Sequence, residues 1–147
     1  MRAETRRLAL AMLVIVSGVA LDQITKQLAE AKLRSLQIVS VVEGFFELRY
    51  SRNTGAFFSI GESVPDGPRR VGFVVLTLAA IGLMAHLYRK AGDSQKALRW
   101  ALVLLCTGAI GNLIDRVRYG EVIDFLHLHF REVFHWATFN VADIYIA

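Results

Sequence analysis

Three long apolar runs constrain the fold of this chain more than any other feature of its sequence. Leu8 to Leu21, Val71 to Tyr88 and Leu102 to Ile114 contain no Asp, Glu, Lys or Arg. With their apolar flanking residues, each approaches the roughly 17–25 residues that a helix needs to cross a bilayer. The sequence therefore predicts three transmembrane helices in a mainly α, integral membrane protein.

A shorter apolar stretch predicts a fourth helix at the C-terminal end. This helix is expected to begin near Phe134 and to run through Trp136 and Phe139 towards Ala147. About 14 residues is short for a complete span, so the fourth helix is expected to be truncated. The predicted fold is a four-helix transmembrane bundle that forms one membrane-embedded domain over residues 1–147.

A β-element is predicted between the first two helices. Leu36 to Tyr50 is rich in Val, Ile, Phe and Tyr, and Glu43-Gly44 offers a turn, which is typical of a small hairpin. A loop with Asn53 and Gly55 follows, and Gly55 permits close backbone approach. We expect this element to lie outside the cytoplasm.

Positive charge is concentrated in two short segments of the chain. The net charge is +4, and basic residues cluster at 2–7 and at 89–99, beside apolar runs. Short segments rich in Lys and Arg mark cytoplasmic loops, so the N-terminus and the link between helices two and three are expected inside. The basic residues form no single stripe, and we therefore expect no nucleic-acid partner.

The first apolar run has a second interpretation. Arg6 and Arg7, the apolar stretch and the small residues of Ser17 to Ala20 also resemble a cleavable signal peptide. However, the helical pattern continues past this point through Asp22 and Lys26. We expect an uncleaved first helix, and the downstream spans predict a membrane protein in either case.

Two aspartates lie in apolar surroundings where an ionisable group is costly. Asp124 is flanked by Ile123 and Phe125, and Asp143 follows Asn140 by three residues. Such groups usually pair, face a wet cavity or take part in chemistry. Two neighbouring carboxylates can share one proton and activate a water molecule, so we predict a carboxylate dyad, with Asn140 one helical turn from Asp143.

Further polar residues are expected to gather on the same side of the bilayer. Helical spacing places Lys26 beside Asp22 at the outer end of helix one, and it places Asn112 with Asp115 and Arg116 at the outer end of helix three. This convergence predicts a site. The alternative is that Asp22–Lys26 and Asp115–Arg116 are only interfacial ion pairs that anchor helix ends.

Other kinds of chemistry have weaker support. His127, His129 and His135 raise a metal site, but neither an extended nor a helical segment easily collects three ligands with Asp124. We expect no metal and no cofactor. The sequence also lacks Gly-x-Ser-x-Gly and phosphate-loop motifs.

A small proton-coupled transporter component is the alternative from another functional class, because intramembrane acids can relay protons. Its polar residues would run through the depth of several helices. Here the middles of helices one and two are almost purely apolar, and the polar residues collect at one end. This distribution favours an enzyme near the membrane interface.

Five short blocks, in this order along the chain, resemble the signature blocks of the lipoprotein signal peptidases (signal peptidase II). The resemblance covers nearly the whole chain and is more specific than any single motif. The blocks are Leu21–Lys26, Arg52–Phe57, Gly111–Arg116, Val122–Phe125 and Phe139–Asp143.

The resemblance implies an aspartyl endopeptidase of the bacterial inner membrane with its active site near the periplasmic face. Such enzymes remove signal peptides from prolipoproteins and cut before a cysteine modified with diacylglycerol. It implies that Asp124 and Asp143 are catalytic. The expected partners are a lipid-modified prolipoprotein and membrane lipids, and we expect a monomer. The residues expected to bind substrate or support the site are Asp22, Lys26, Asn53, Gly55, Asn112, Arg116 and Asn140.

Overall fold

The structure is a computed structural model that describes residues 2–36, 38–54, 65–130 and 133–147. The described residues form four helices and four strands. In chain order they are α1 (Arg2–Leu36), β1 (Ile38–Val42), β2 (Phe46–Asn53), α2 (Asp66–Lys90), α3 (Lys96–Tyr119), β3 (Val122–Phe130), β4 (Phe134–His135) and α4 (Val141–Ile146).

Three helices have the length and apolar composition to cross a membrane. These are α1, α2 and α3, which contain the three apolar runs. The prediction of three helices able to span a membrane is therefore confirmed by their length and composition. At 1.5 Å per residue, the 35 residues of α1 measure about 50 Å, whereas bilayer hydrocarbon is about 30 Å thick. Because α1 is longer than the hydrocarbon is thick, one of its ends can pack against the sheet outside it.

The predicted start of the fourth helix is wrong. Phe134 and His135 form β4, which pairs with the end of β3, and Phe139 makes an isolated bridge to Leu126. The backbone N–H of Phe139 donates to the Leu126 carbonyl at 2.9 Å. These residues are held to β3 by sheet hydrogen bonds, so their backbone groups cannot also form a helix.

The beginning of α4 is set by Asn140. This residue has extended backbone, with φ −132° and ψ −177°, and its side chain caps the first turn. The Asp143 N–H donates to Asn140 Oδ1 at 3.0 Å, and the Asn140 N–H donates to Asp143 Oδ2 at 3.1 Å. This reciprocal capping box ends the extended segment and starts a helix at Val141.

One antiparallel sheet in the order β1-β2-β3-β4 lies beside the helices. The β1–β2 hairpin confirms the predicted β-element, and Gly44 in its turn has φ 73°. The segment 123–130, which the sequence left open between strand and helix, is extended. It pairs with β2 so that Ser51 faces Asp124 and Asn53 faces Val122.

The sheet is attached to the C-terminal part of α1 by a small apolar core. Ala29 and Leu33 of α1 pack with Phe125 of β3, and all three are buried. Gly120, with φ 79°, ends α3 immediately before β3 begins. These connections place Asp124 beside the ends of α1 and α3, where the predicted polar residues lie.

Candidate active site

Asp124 lies on β3 and is only 3% exposed. Asn140 Nδ2 donates to Asp124 Oδ1 at 2.6 Å, and Asn53 Nδ2 donates to Asp124 Oδ2 at 3.1 Å. One donor comes from the residue before α4, and the other comes from the end of β2. The carboxyl group is therefore fixed from two sides.

Asp143 lies in the first turn of α4. Its Oδ2 accepts from the Asn140 N–H in the capping box, and its Oδ1 accepts from Asn112 Nδ2 at 2.8 Å. Asn140 Nδ2 also donates to Asn112 Oδ1 at 3.1 Å. The fully buried Asn140 thus binds both aspartates directly, and Asn112 completes the link from the side of α3.

The surroundings of Asp124 favour its protonated form. Burial, together with the negative charge of Asp143, raises the pKa of Asp124 to about 7. Hydrogen bonds from Asn53 and Asn140 favour the ionised form and limit the rise. The carboxyl group of Asp124 can therefore hold a proton near neutral pH.

A second polar cluster is centred on Lys26, which is 1% exposed. Lys26 Nζ lies 2.9 Å from Asp22 Oδ2 and 2.9 Å from Asp115 Oδ2. It also donates to Asn112 Oδ1 at 2.9 Å. All three partners are buried, and the expected Asp22–Lys26 pair is present. Asp115 pairs with Lys26 rather than with its neighbour Arg116.

The Lys26 cluster holds the backbone immediately before each aspartate of the pair. Asp22 Oδ1 accepts from the N–H of Ala142, the residue before Asp143, at 2.9 Å. Asp115 Oδ2 accepts from the N–H of Ile123, the residue before Asp124, at 3.2 Å. A single lysine therefore pairs with both of the carboxylates that hold the backbone of these two segments.

Close packing of α3 against its neighbours needs a glycine at position 111. A Cβ on Gly111 would lie 2.6 Å from Asp22 Oδ2 and 3.1 Å from the Ala142 Cβ. Both contacts are closer than ordinary van der Waals packing allows. The absence of a side chain here lets Asp22 and α4 approach the helix that carries Asn112 and Asp115.

Arg116 lies near the pair without a described hydrogen bond to it. Its guanidinium carbon lies 5.3 Å from the centre of the Phe73 ring of α2. The guanidinium also interacts electrostatically with Asp143, Asp124 and Asp115. Arg116 therefore supplies positive potential at the site, with its position supported by an aromatic ring.

Gly55, a predicted supporting residue, lies outside the described residues. Gln23, which the sequence did not single out, donates to Asp115 Oδ1 at 2.9 Å and to the Gly111 carbonyl at 3.2 Å. Its only sequence signal is an amide side chain next to Asp22 in an otherwise apolar helix.

The histidines form a separate cluster at the far end of β3. The rings of His127, His129 and His135 stack with centroids 5.5–5.7 Å apart. Burial lowers the pKa of His127, which keeps this ring neutral at pH 7. In the part of the chain that the structure describes, no group of three His, Cys, Asp or Glu side chains could hold a metal ion.

The fold and this site define a multi-pass membrane protein in which Asn140 joins a buried aspartate, Asp124, to a half-buried one, Asp143. The family model for signal peptidase (SPase) II matches residues 14–147 of the chain. The chain therefore belongs to the signal peptidase II family, whose members are membrane proteases. The family resemblance of the five sequence blocks is confirmed, and nothing in the comparisons supports the transporter alternative.

Individual relatives agree with this assignment. The chain is 43% identical over 131 residues to the lipoprotein signal peptidase of Geobacter sulfurreducens, covering 88% of this chain and 79% of the relative. It is 34% identical over 136 residues to that of Clostridium tetani, covering 92% and 84%. A solved structure described as a bacterial membrane enzyme superposes with a TM-score of 0.80 at 28% identity, covering 94% of this chain and 80% of that one.

Proposed function

We propose that this signal peptidase II is an aspartic endopeptidase of the bacterial inner membrane. It removes signal peptides from prolipoproteins by cutting before the diacylglyceryl-modified cysteine. The relatives' name, lipoprotein signal peptidase, supports the substrate class. The observation that supports the catalytic type is the bridge of Asn140 between Asp124 and Asp143, since it holds two carboxyl groups at one site.

The two aspartates have different roles in the proposed reaction. Ionised Asp143 accepts a proton from a water molecule as the water oxygen bonds to the scissile carbonyl carbon. Protonated Asp124 donates its proton to the carbonyl oxygen. When the tetrahedral intermediate collapses, the C–N bond breaks, the proton held by Asp143 passes to the leaving amine, and a hydroxyl proton of the intermediate returns to Asp124 as the product carbonyl forms. The high pKa of Asp124 supports its assignment as the acid.

The supporting residues act on the aspartates or on the substrate. The Asn112 Nδ2 donates to Asp143, and the Asn112 Oδ1 accepts from Lys26 and Asn140. We therefore propose that Asn112 positions the carboxyl group of Asp143. Arg116 has no such partner among the described residues, and we assign it to the carbonyl groups of the substrate's lipid. Gly55 is proposed to contribute to substrate binding.

The proposed orientation puts the aspartate pair at the periplasmic face. At the opposite end of the bundle, the N-terminal segment and the short α2–α3 link are rich in Lys and Arg, while further arginines lie in the longer segments on the aspartate side. This distribution agrees with the excess of Lys and Arg in cytoplasmic loops. The exposed apolar faces of the helices, including Leu13, Val16 and Leu76, then contact lipid and the incoming signal helix.

The proposed activity is tested with two versions of one precursor. The purified protein in detergent is incubated with a prolipoprotein that carries diacylglycerol on its cysteine, and with the same precursor without lipid. We expect the lipidated precursor alone to shorten, and mass spectrometry should place the modified cysteine at the new N-terminus. Cleavage at another bond, or equal cleavage of both precursors, would refute the proposed specificity.

A substitution at Asn140 can separate two roles of this residue, which are the positioning of the aspartates and the capping of α4. Asn140→Ser keeps a good cap for α4 but is too short to reach Asp124, so we expect the protein to stay folded with a moderate fall in its unfolding temperature. Its kcat should fall by about 10- to 100-fold, with KM little changed, as for other residues that orient reacting groups. A variant with normal kcat would show that the Asn140 bridge has no part in catalysis.

A further inference from the structure

Two adjoining cavities lie at the end of the bundle away from the aspartate pair. The larger has a volume of about 700 Å³ and the smaller about 140 Å³. They share Arg7, Tyr88, Asp93 and Arg99 as lining residues, so we treat them as one space and name it the basal cavity. Along α3, Arg99 and Asn112 are separated by about 20 Å at 1.5 Å per residue.

The lining of the basal cavity has an excess of positive charge. Four basic and two acidic side chains face it, which leaves a formal charge of +2. Asp93 forms ion pairs with Arg7 and, at 3.3 Å, with Arg99. The acidic residues are Glu4 and Asp93, and the basic residues are Arg7, Arg89, Lys96 and Arg99.

Arg99 is part of the wall rather than a free ligand. Its Nε donates to the Ala91 carbonyl at 3.0 Å, just after α2 ends. Its guanidinium carbon lies 5.8 Å from the centre of the Tyr88 ring. Arg99 thereby joins the end of α2, the α2–α3 link and the start of α3 into one wall of the cavity.

Arg89 and Lys96 are the cations that remain available. Neither has a hydrogen bond or an ion pair with any residue that the structure describes, and each lines one part of the basal cavity. Two unpaired cations at a concave surface attract an anion. A phosphate group, which accepts charge-assisted hydrogen bonds from Arg and Lys alike, matches this pair.

The basal cavity also has an apolar side that continues onto the lipid-facing surface. Leu8, Leu10 and Trp100 line it and are 47%, 45% and 46% exposed. A ligand in this space therefore meets cations at one end and an apolar surface at the other. A soluble phosphate would use only the first, whereas a phospholipid would use both.

We propose that the basal cavity binds an anionic phospholipid, with Arg89 and Lys96 contacting the headgroup phosphate and the acyl chains lying along Leu8, Leu10 and Trp100. Basic pockets between transmembrane helices recognise such headgroups in general. The volume of the larger part falls in the range of roughly 300–1,000 Å³ that is usual for small-ligand sites. The site is separate from the aspartate pair and does not depend on the proposed catalytic mechanism.

The experiment measures lipid binding to the purified full chain by native mass spectrometry. The probes are phosphatidylglycerol, which is anionic, and phosphatidylcholine with the same acyl chains, which is zwitterionic. The test variant is Arg89→Gln/Lys96→Gln. The control is Lys32→Gln/Lys90→Gln, which removes the same charge from exposed residues that do not line the cavity.

We expect the wild type and the control to prefer phosphatidylglycerol, and the test variant to bind it at least about fivefold more weakly. Phosphatidylcholine, whose choline cation offsets its phosphate charge, should bind more weakly to the wild type and lose less binding in the test variant than phosphatidylglycerol does. Equal loss of binding in test and control variants would refute the site, because bulk charge would explain it. Displacement of phosphatidylglycerol by equimolar inorganic phosphate would refute the role of the acyl chains.

Discussion

Asp124→Asn and Asp143→Asn should each abolish cleavage of a lipid-modified precursor. Either change removes a carboxyl group that the proposed reaction needs as acid or as base, and general acid–base catalysis alone is worth about 10²–10⁴-fold. Because both roles act on one tetrahedral intermediate, we expect kcat to fall at least about 10³-fold in each variant. The measurement is the initial rate of signal-peptide release by purified protein.

Asp66→Asn is the matched control for this prediction. Asp66 is in the first turn of α2, and its side chain is 93% exposed, so the same chemical change there should leave the rate unchanged. Thermal unfolding in detergent shows whether the variants of the pair remain folded. A folded Asp124→Asn or Asp143→Asn protein with the wild-type rate would exclude that residue from catalysis.

Lys26→Met should cause the largest loss of stability. The change removes the cation that lies 2.9 Å from both Asp22 and Asp115 and leaves two buried carboxylates without their counter-charge. Breaking a buried ion pair in this way costs about 3–5 kcal/mol. We expect a clear fall in the unfolding temperature of the detergent-solubilised protein, together with loss of cleavage.

Two further variants show whether charge or packing causes this loss. Lys32→Met makes the same change at an exposed position of α1 and should leave the unfolding temperature nearly unchanged. Asp22→Asn/Lys26→Met/Asp115→Asn removes all three charges and should recover much of the stability, since a buried cluster can often be neutralised at little cost. If the triple variant is no more stable than Lys26→Met, buried charge is not the cause.

The Lys26 cluster affects both the stability of the fold and the position of the two proposed catalytic aspartates. Its two carboxylates accept from Ala142 and Ile123, each of which immediately precedes an aspartate of the pair. Charged acceptors hold backbone N–H groups more firmly than neutral acceptors do. The cluster therefore fixes the backbone from which Asp124 and Asp143 extend, and its residues need not contact substrate to affect the rate.

Much of the fold could be predicted because its signals are local. Uncharged apolar runs predicted α1, α2 and α3, and a turn with Gly44 between β-prone segments predicted the first hairpin. The start of α4 could not be predicted, because it depends on the pairing of Phe139 with Leu126 on β3. Hydropathy alone does not distinguish an apolar strand held at a sheet from the first turns of a helix.

The candidate site was predictable in its members but not in its connections. The cost of carboxylates in apolar surroundings indicated Asp124 and Asp143, and helical spacing paired Asp143 with Asn140. Helical spacing also put Asp115 and Arg116 at one end of α3, yet Asp115 pairs with Lys26. The Asp22–Ala142 contact joins residues 120 positions apart, which no local pattern can indicate.

The pH dependence of kcat/KM for the lipid-modified precursor tests most directly whether the aspartate pair works with one shared proton. Since burial and the charge of Asp143 raise the pKa of Asp124 to about 7, the acid is protonated below that pH and lost above it. We expect kcat/KM of the free enzyme to fall as the pH rises through about 7 towards 9. A kcat/KM that stays constant or increases over that range would show that protonated Asp124 is not the acid.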